Sequence, residues 1–245
     1  MLHRFTSSLS FLFLLRFSLT SVIGGPSSRM SSSHSIVDLS TTSHALKHLF
    51  TKIRNEDTSN VDFRAYSKRV MHIICEEGIG CLDPTPIVVK APTQELFHGE
   101  YVDVNDVVAV SIIRAGDSLL DVFLDIMPEA SVGKILIQRD EETALPKLFY
   151  VKVPKLENKK IVLCDPMLAT GGSAICAIRE LVARGADPSK MFFFNVVACP
   201  EGIQAMKESY PQVRIITGAV DEKLDSKRYI LPGLGDYGDR FYGTH

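Results

Sequence analysis

Between residues 41 and 77, apolar residues recur at helical spacing. A first helix, capped by Ser43, is predicted from four of them: Leu46, Leu49, Phe50 and Ile53. A second helix is predicted over 61–77, with these residues on one side: Phe63, Tyr66, Val70, Ile73 and Ile74. The domain therefore begins with a predicted pair of helices.

Beyond residue 106, short β-branched runs alternate with helical stretches. The strands are predicted over 107–113, 132–138, 148–153, 160–164, 191–197 and 213–217. The helices between several of them are predicted over 117–127, 173–184 and 202–209. This alternation is typical of a parallel α/β sheet covered by helices on both faces. Because no repeat or low-complexity linker interrupts 41–245, we predict one domain there.

Residues 1–40 differ from the rest in composition and are predicted to be an extension outside the fold. Residues 1–37 contain no Asp or Glu, and they carry Arg4, Arg16, Arg29, many serines and a short apolar stretch. These features are shared by organelle transit peptides and, in part, by secretory signals. A third alternative is that translation starts at Met30. The apolar stretch is too short for a membrane span, which needs about 20 residues.

Charge and cysteine content exclude several classes of partner. The net charge of −2 gives no basic footprint, so we expect neither nucleic acid nor membrane as a partner. Five cysteines without CxxC spacing indicate a reducing compartment, and Cys164 and Cys199 are expected in the core. We therefore expect a cytoplasmic protein, with organelle or secretory targeting by residues 1–29 as the alternative. The histidines form no HxH or HExxH pair, so no direct metal site is expected.

The segment 161–173 carries the clearest sign of chemistry. A buried strand is followed by Asp165, a small-residue turn, and a helix from about Ser173. In open α/β sheets ligands bind beyond the carboxyl ends of strands, and a glycine turn at a helix N-terminus favours anions. Hydroxyl groups of Thr170 and Ser173 can donate to a phosphate, and Asp165 can accept from ribose hydroxyls. The alternative is a plain strand-to-helix turn with a serine N-cap.

Two further segments suggest the rest of a binding site. Arg114 and Arg139 each follow a predicted strand, where a guanidinium can bind phosphate bidentately; a local ion pair with Asp140 and Glu141 is the alternative for Arg139. Residues 229–245 contain four glycines and a proline, which predicts neither a helix nor a central strand. Their backbone could approach a flat polar ligand, or they could form a plain C-terminal loop packed by aromatic residues.

Residues 165–173, DPMLATGGS, resemble the signature of type I phosphoribosyltransferases that binds phosphoribosyl pyrophosphate (PRPP). A single acid followed by proline is similar to the uracil branch of that family in particular. The segments around Arg114 and Arg139 and the segment 229–245 are similar to the same branch. The resemblance implies a helix-covered parallel-sheet core with an N-terminal helical pair. It also implies that 229–245 form a base-binding hood.

The resemblance implies that uracil reacts with PRPP, 5-phospho-α-D-ribose 1-diphosphate, to give UMP and diphosphate in pyrimidine salvage. Mg²⁺ would be bound through PRPP. Catalytic roles are implied for Asp165, Arg139 and Asp236. Uracil contacts are implied for Ile230, Gly235, Asp236 and Tyr237. The implied PRPP contacts are Arg114, Arg139, Asp165, Pro166, Met167, Leu168, Ala169, Thr170, Gly171, Gly172, Ser173 and Asp236.

The resemblance also raises questions of assembly and regulation. A homo-oligomer, dimer or tetramer, is expected, with the helices of 43–77 as contacts. Some members are activated by GTP; Lys68 and Arg69 are candidates for its binding, although a solvated helix face is the favoured interpretation. Tyr237 stands where bacterial members commonly have alanine, and it could narrow tolerance for 5-substituted uracils. The polar segment after Arg139 is expected to be an arm that closes over the reaction.

Two alternatives to this function stay open at this point. The first is a homologue that senses PRPP or a nucleotide without catalysis, and the intact signature residues argue against it. The second is a purine or orotate phosphoribosyltransferase, which would share the phosphate-binding turn but does not account for residues 229–245.

Overall fold

The structure is a computed structural model that describes residues 36–139 and 146–244. Most of the predicted extension, 1–40, lies outside these residues, and so does the greater part of the predicted arm, 140–145. The predicted start of the fold at residue 41 needs one correction. Ile36–Asp38 form a short strand at the edge of the main sheet, where they pair in register with Ile215–Thr217. The fold therefore begins before residue 41.

Helices and strands follow one another in the order that the sequence predicts, with additions. The N-terminal part contains strand β1 (Ile36–Asp38), helices α1 (His44–Arg54) and α2 (Asn60–Gly80), and strands β2 (Thr85–Lys90) and β3 (Leu96–Tyr101). The central part contains β4 (Val107–Ile113), α3 (Gly116–Ile126), β5 (Ser131–Arg139), β6 (Pro146–Lys152), β7 (Lys160–Cys164), β8 (Met167–Leu168) and α4 (Gly172–Ala183). The C-terminal part contains β9 (Met191–Ala198), α5 (Pro200–Ser209), β10 (Arg214–Val220), β11 (Lys223–Leu224), β12 (Ile230–Leu231) and α6 (Tyr237–Tyr242).

The main sheet has eight strands in the order β1-β10-β9-β7-β4-β5-β6, with β8 beside β9. All of its pairs are parallel except β5 with β6. The predicted parallel sheet is thus confirmed for the centre and corrected at one edge. The connection 140–145 is too short for a crossover, which takes a dozen or more residues, so β6 must return antiparallel.

The core lies on both faces of the sheet, as the near-continuous apolar strands predict. On β9 the rings of Phe192 and Phe194 pack with α1, α2 and α3, whereas Phe193 packs on the other face with α4 and α5. This alternation follows from the two-residue period of a strand. Cys164 and Cys199 are fully buried, which confirms their expected place in the core.

The N-cap of α1 agrees with the prediction in position, but its hydrogen bonding does not, and one C-terminal helix was not predicted. Ser43 is the N-cap of α1 as predicted, but its hydroxyl makes no capping hydrogen bond. The prediction that 229–245 contain no helix is wrong, because Tyr237–Tyr242 form α6. Asp236 caps this helix by accepting a hydrogen bond from the Asp239 N–H at 2.9 Å, and Gly243 ends it with a left-handed backbone.

Candidate active site

A cleft of about 460 Å³ opens at the carboxyl ends of the central parallel strands. One wall is the turn between β7 and α4, and the opposite wall is the hood, residues 229–245. The loop after β4 lines it as well. The structure brings nearly all the predicted site residues together here: Arg114, Asp165, Met167, Leu168, Ala169, Thr170, Gly171, Gly172, Ser173, Ile230, Gly235, Asp236 and Tyr237.

The turn between β7 and α4 has the geometry of an anion cradle. Asp165 follows directly after β7, and the Met167 N–H donates to its Oδ1 at 3.4 Å. Gly171 has a φ of 79° and is the N-cap of α4, so the helix begins at Gly172 rather than at Ser173. The serine N-cap in the alternative of a plain turn is therefore wrong, since the N-cap is Gly171. The first N–H groups of a helix lack internal partners and carry partial positive charge, which favours a phosphate at this position.

The turn rests on the start of α5, a contact that sequence reasoning missed. The Cys199 thiol donates to the Ala169 carbonyl oxygen at 3.0 Å, and burial raises the pKa of this thiol to about 11, so it stays protonated. A Cβ atom on Gly202 would lie 2.4 Å from the same oxygen, so the backbones meet too closely for a side chain. The buried Pro166 anchors the turn as well, because its carbonyl accepts from the Val196 and Val197 N–H groups at 3.0 Å each.

Arg114 is held by the end of the hood. Its Nη2 donates to Asp239 Oδ1 at 2.7 Å, and its Nη1 donates to the Thr244 hydroxyl at 2.9 Å. The Tyr242 hydroxyl in turn donates to the Arg114 carbonyl oxygen at 3.2 Å. The ion pair is solvent-exposed, so the guanidinium is both oriented and accessible at the cleft.

A half-buried ionic cluster lies next to the loop that carries Arg114. Asp117 Oδ1 accepts from the Ser111 hydroxyl at 2.5 Å and from Lys134 Nζ at 2.6 Å, which ties the first turn of α3 to β4 and β5. Gly116 lies against β7, where a Cβ would come within 2.2 Å of the Cys164 carbonyl oxygen. Sequence reasoning missed this cluster, although a lysine inside the apolar run 132–138 was the signal that could have found it.

Arg139 is the last residue of β5, opposite Pro146 of β6. Pro146 also lies near the phosphate-cradling turn, since a Cβ on Gly172 would stand 3.7 Å from its ring. The backbone of Arg139 is therefore near the turn between β7 and α4. The position of its side chain lies outside the described structure, and its assigned role stays a prediction.

The hood forms the opposite wall, and Tyr237 anchors it to the core. The Tyr237 ring packs against Phe63 at 5.5 Å and stacks on Phe241 at 5.7 Å, and its hydroxyl contacts Ser118 and the Met71 sulfur. Burial raises the pKa of this phenol well above its usual value. The side chain thus reaches α2 and α3, and its effect on 5-substituted uracils stays a prediction.

Residues just before the hood line the cleft without having been predicted to do so. Lys227 and Arg228 are exposed there and bring two cations to the rim. Sequence reasoning assigned no element to 221–229, because two-residue strands such as β11 are too short to give a periodic pattern.

The fold and this cleft define an α/β protein in which a glycine turn at a helix N-terminus faces a glycine-rich wall. The chain matches the family model described as uracil phosphoribosyltransferase over residues 40–244, and it belongs to that family. It is 46% identical over 195 residues to a uracil phosphoribosyltransferase of Saccharomyces cerevisiae, covering 79% of this chain and 90% of that one. It is 44% identical over 204 residues to one of Dictyostelium discoideum, covering 83% and 94%.

A solved structure of a protein from Aquifex aeolicus superposes on this chain with a TM-score of 0.73 and 35% identity, covering 85% of this chain and 98% of that one. The predicted family and fold class are thereby confirmed. Within residues 36–139 and 146–244, no helix combines the length and the apolar content needed to cross a bilayer.

Proposed function

We propose that the chain transfers the phosphoribosyl group of PRPP to uracil, giving UMP and diphosphate in pyrimidine salvage. Family membership supports this function. The observation that carries it is the cleft itself, in which the phosphate-cradling turn 165–173 faces the hood across a single space. Such a cleft suits a substrate with a phosphate at one end and a planar base at the other.

The proposed orientation of PRPP follows from the charges and donors along the cleft. Its 5-phosphate binds at the N-terminus of α4, and Asp165 accepts hydrogen bonds from the ribose hydroxyls. Arg114 and Arg139 bind the pyrophosphate. Exposed ion pairs such as Arg114–Asp239 contribute only about 0.2–1 kcal/mol, so a pyrophosphate competes for this guanidinium at little cost.

The reaction is a displacement at the anomeric carbon with inversion. Uracil N1 attacks as the bond to the pyrophosphate oxygen breaks, and positive charge develops on the ribose ring. The proton of N1–H is released as the N1–C1′ bond forms and ends on the departing pyrophosphate. The residues act by orienting both substrates and by stabilising charge. Backbone groups of Ile230, Gly235 and Tyr237 hydrogen-bond the polar edges of uracil, which rejects bases with a different pattern. Closure of the arm after Arg139 would keep water away from the positively charged ribose of the transition state.

Mg²⁺ is proposed to arrive on PRPP, where it would offset the charge of the departing pyrophosphate. Asp165 and Asp236 both line the cleft and can accept hydrogen bonds from water bound to such an ion. Among the described residues no group of three or more His, Cys, Asp or Glu side chains comes together as a metal site. The two carboxylates at the cleft fit an ion that arrives with the substrate.

Self-association is proposed, and the hairpin of β2 and β3 supports it. Six of its large side chains are exposed: Ile87, Val88, Val89, Leu96, Phe97 and Tyr101. An isolated two-stranded hairpin is marginally stable in water, so a second subunit covering it is a favourable arrangement. Sedimentation of the purified protein tests this, and a monomer at micromolar concentration would contradict it.

Regulation and compartment stay predictions. Lys68 and Arg69 lie exposed on α2, with the Arg69 guanidinium 5.7 Å from the centre of the Tyr66 ring, which fits the solvated-face interpretation better than a GTP site. Free cysteines, of which all but Cys81 are buried, support a reducing, cytoplasmic location. Imaging of the full chain tests this location against organelle or secretory targeting by residues 1–29.

Arg139→Ala is expected to raise the KM for PRPP about tenfold or more while changing the KM for uracil by less than about threefold. A charge-assisted bidentate contact to pyrophosphate would be lost, whereas the hood would be untouched. Steady-state kinetics with each substrate varied in turn measure both constants. Equal increases in the two would contradict the role assigned to Arg139.

The proposed activity is tested by pyrophosphate release from PRPP with Mg²⁺, using protein begun at Met30. Uracil, cytosine, orotate, hypoxanthine and adenine are compared. Release with uracil alone is expected, because the hood matches one pattern of donors and acceptors. If PRPP binds but no base gives release, the sensing homologue without catalysis becomes the better account.

A further inference from the structure

An ion pair between Arg54 and Asp221, outside the cleft, connects the hood to the rest of the fold. Asp221 follows β10 directly, is 7% exposed, and anchors its own N–H on the Ala198 carbonyl of β9 at 2.8 Å. Its carboxylate accepts from Arg54 twice, at 2.6 Å through Oδ1 and at 2.8 Å through Oδ2. Arg54 is the last residue of α1 and lies 167 positions away in sequence. The pair thus joins the sheet to the first helix.

The same two side chains hold one residue of the hood by both of its backbone groups. The Gly233 N–H donates to Asp221 Oδ2 at 2.9 Å, and the Gly233 carbonyl accepts from Arg54 Nη1 at 2.6 Å. Gly233 has a φ of 62°, and a Cβ there would lie 2.1 Å from the Ile230 carbonyl oxygen. The chain can therefore turn here only at glycine, and the turn is fixed on both sides.

A second arginine extends this attachment along the hood. Arg240 Nη1 donates to the Leu234 and Ile53 carbonyl oxygens at 2.6 Å each, and Nη2 donates to the Asn55 carbonyl oxygen at 2.7 Å. The end of α1 and the hood turn are thus joined through consecutive residues, 233 and 234. Gly235 and Asp236, which line the cleft, come immediately after.

We propose that Asp221 and Arg54 are positioning residues for the base. They fix the turn at Gly233 and thereby set where the backbone of Gly235 and Asp236 meets uracil. The assignment rests on the proposed function. It predicts a selective effect, because the phosphate-cradling turn is held separately, by Cys199 and by the Pro166 carbonyl. The Asp236 carboxylate and Arg114, which are assigned to PRPP, are held by Asp239 within α6 rather than by Gly233.

Asp221→Asn tests the proposal, since it keeps the shape of the side chain and removes the charge that binds Arg54. The KM for uracil is expected to rise about tenfold or more, with the KM for PRPP within about twofold of the wild type, as expected when a binding group is displaced without loss of the chemistry. Amide hydrogen exchange over 230–236 is expected to become faster. Arg54→Lys keeps the positive charge but loses the two-point hydrogen bonding of the guanidinium. It should therefore raise the KM for uracil and the exchange rate by a smaller amount.

The chain offers a matched control. Asp83 also makes a two-point ion pair with Arg214, through Nη1 at 2.8 Å and through Nη2, although Asp83 is exposed whereas Asp221 is buried. This pair lies at the amino end of β10, the end opposite Asp221. Asp83→Asn removes the same kind of contact from a site remote from the hood. It should leave both KM values and the exchange over 230–236 unchanged.

The outcomes separate this proposal from the proposed function. Faster exchange over 230–236 together with a selective rise in the KM for uracil supports it. Unchanged exchange in both Asp221→Asn and Arg54→Lys overturns it, as does a KM increase shared equally by PRPP. If the wild type uses no uracil while exchange still rises, the proposed function fails; the ion pair then holds the hood, but its role for uracil is overturned.

Discussion

Replacing Asp165 with asparagine is expected to lower kcat with uracil by about 100- to 1,000-fold, the usual cost of losing one preorganised charge at a reacting centre. In the proposed reaction positive charge develops on the ribose in the transition state, and Asp165, which follows β7 and lines the cleft, would accept hydrogen bonds from the ribose hydroxyls. Asparagine has nearly the same size and can still accept from the Met167 N–H. The melting temperature should therefore stay within a few degrees.

The matched control for this prediction is Asp187→Asn. Asp187 lies before β9, at the end of the sheet opposite the cleft, and its Oδ1 accepts from the Ser189 N–H at 2.9 Å and from the Ser189 hydroxyl at 2.8 Å. Those hydrogen bonds lower the pKa of Asp187, but nothing connects it to the cleft. The kcat of Asp187→Asn should equal that of the wild type. Full activity in Asp165→Asn would remove Asp165 from the mechanism.

For two strands that are buried on both faces, β4 and β7, the sequence predicted the first and last residues correctly. The runs 107–113 and 160–164 agree with β4 and β7 residue for residue, because each is a continuous apolar stretch that ends at a turn. The hairpin of β2 and β3 was not predicted. Its residues are almost all exposed, so no alternation between buried and exposed positions marks them as strands.

In the candidate site, too, features formed by one continuous segment could be predicted, whereas contacts between distant segments could not. The turn 165–173 is one continuous segment with an acid, hydroxyls and glycines, so its place at the cleft could be predicted from the sequence alone. The pair of Arg54 and Asp221 and the contact of Cys199 with Ala169 join residues that are distant in sequence. Such contacts depend on how whole elements pack, and a periodic pattern does not record them.

The short helix α6 shows a different limit. The sequence around α6 is rich in glycine, which predicts a loop. Two local signals for a helix, Asp236 as N-cap and Gly243 at the C-terminal end, were not enough to change that prediction. Each signal alone is common in loops. Only packing of Tyr237 and Phe241 against α2 makes a helix this short stable, since isolated helices below about 12 residues are marginal in water.

Gly116→Ala is expected to destabilise the fold by about 1–3 kcal/mol, the cost of overpacking a buried contact, and to reduce kcat/KM by about 100-fold or more. The added Cβ would lie 2.2 Å from the Cys164 carbonyl oxygen and 3.1 Å from the Ser111 hydroxyl. A strand carbonyl cannot rotate away, so α3 must move off β7. That movement displaces Arg114, two residues before Gly116, and Asp165, the residue after Cys164.

The size of this effect is judged against Gly80→Ala. Gly80 is the exposed last residue of α2, and a Cβ there would meet nothing within 4 Å. Alanine at such a helix position should be neutral or stabilise by about 0.5–1 kcal/mol. Thermal melting and steady-state kinetics of the two variants are compared side by side. If Gly116→Ala behaved like Gly80→Ala in both, the close approach of α3 to β7 could not be what sets the distance between Arg114 and Asp165 across the cleft.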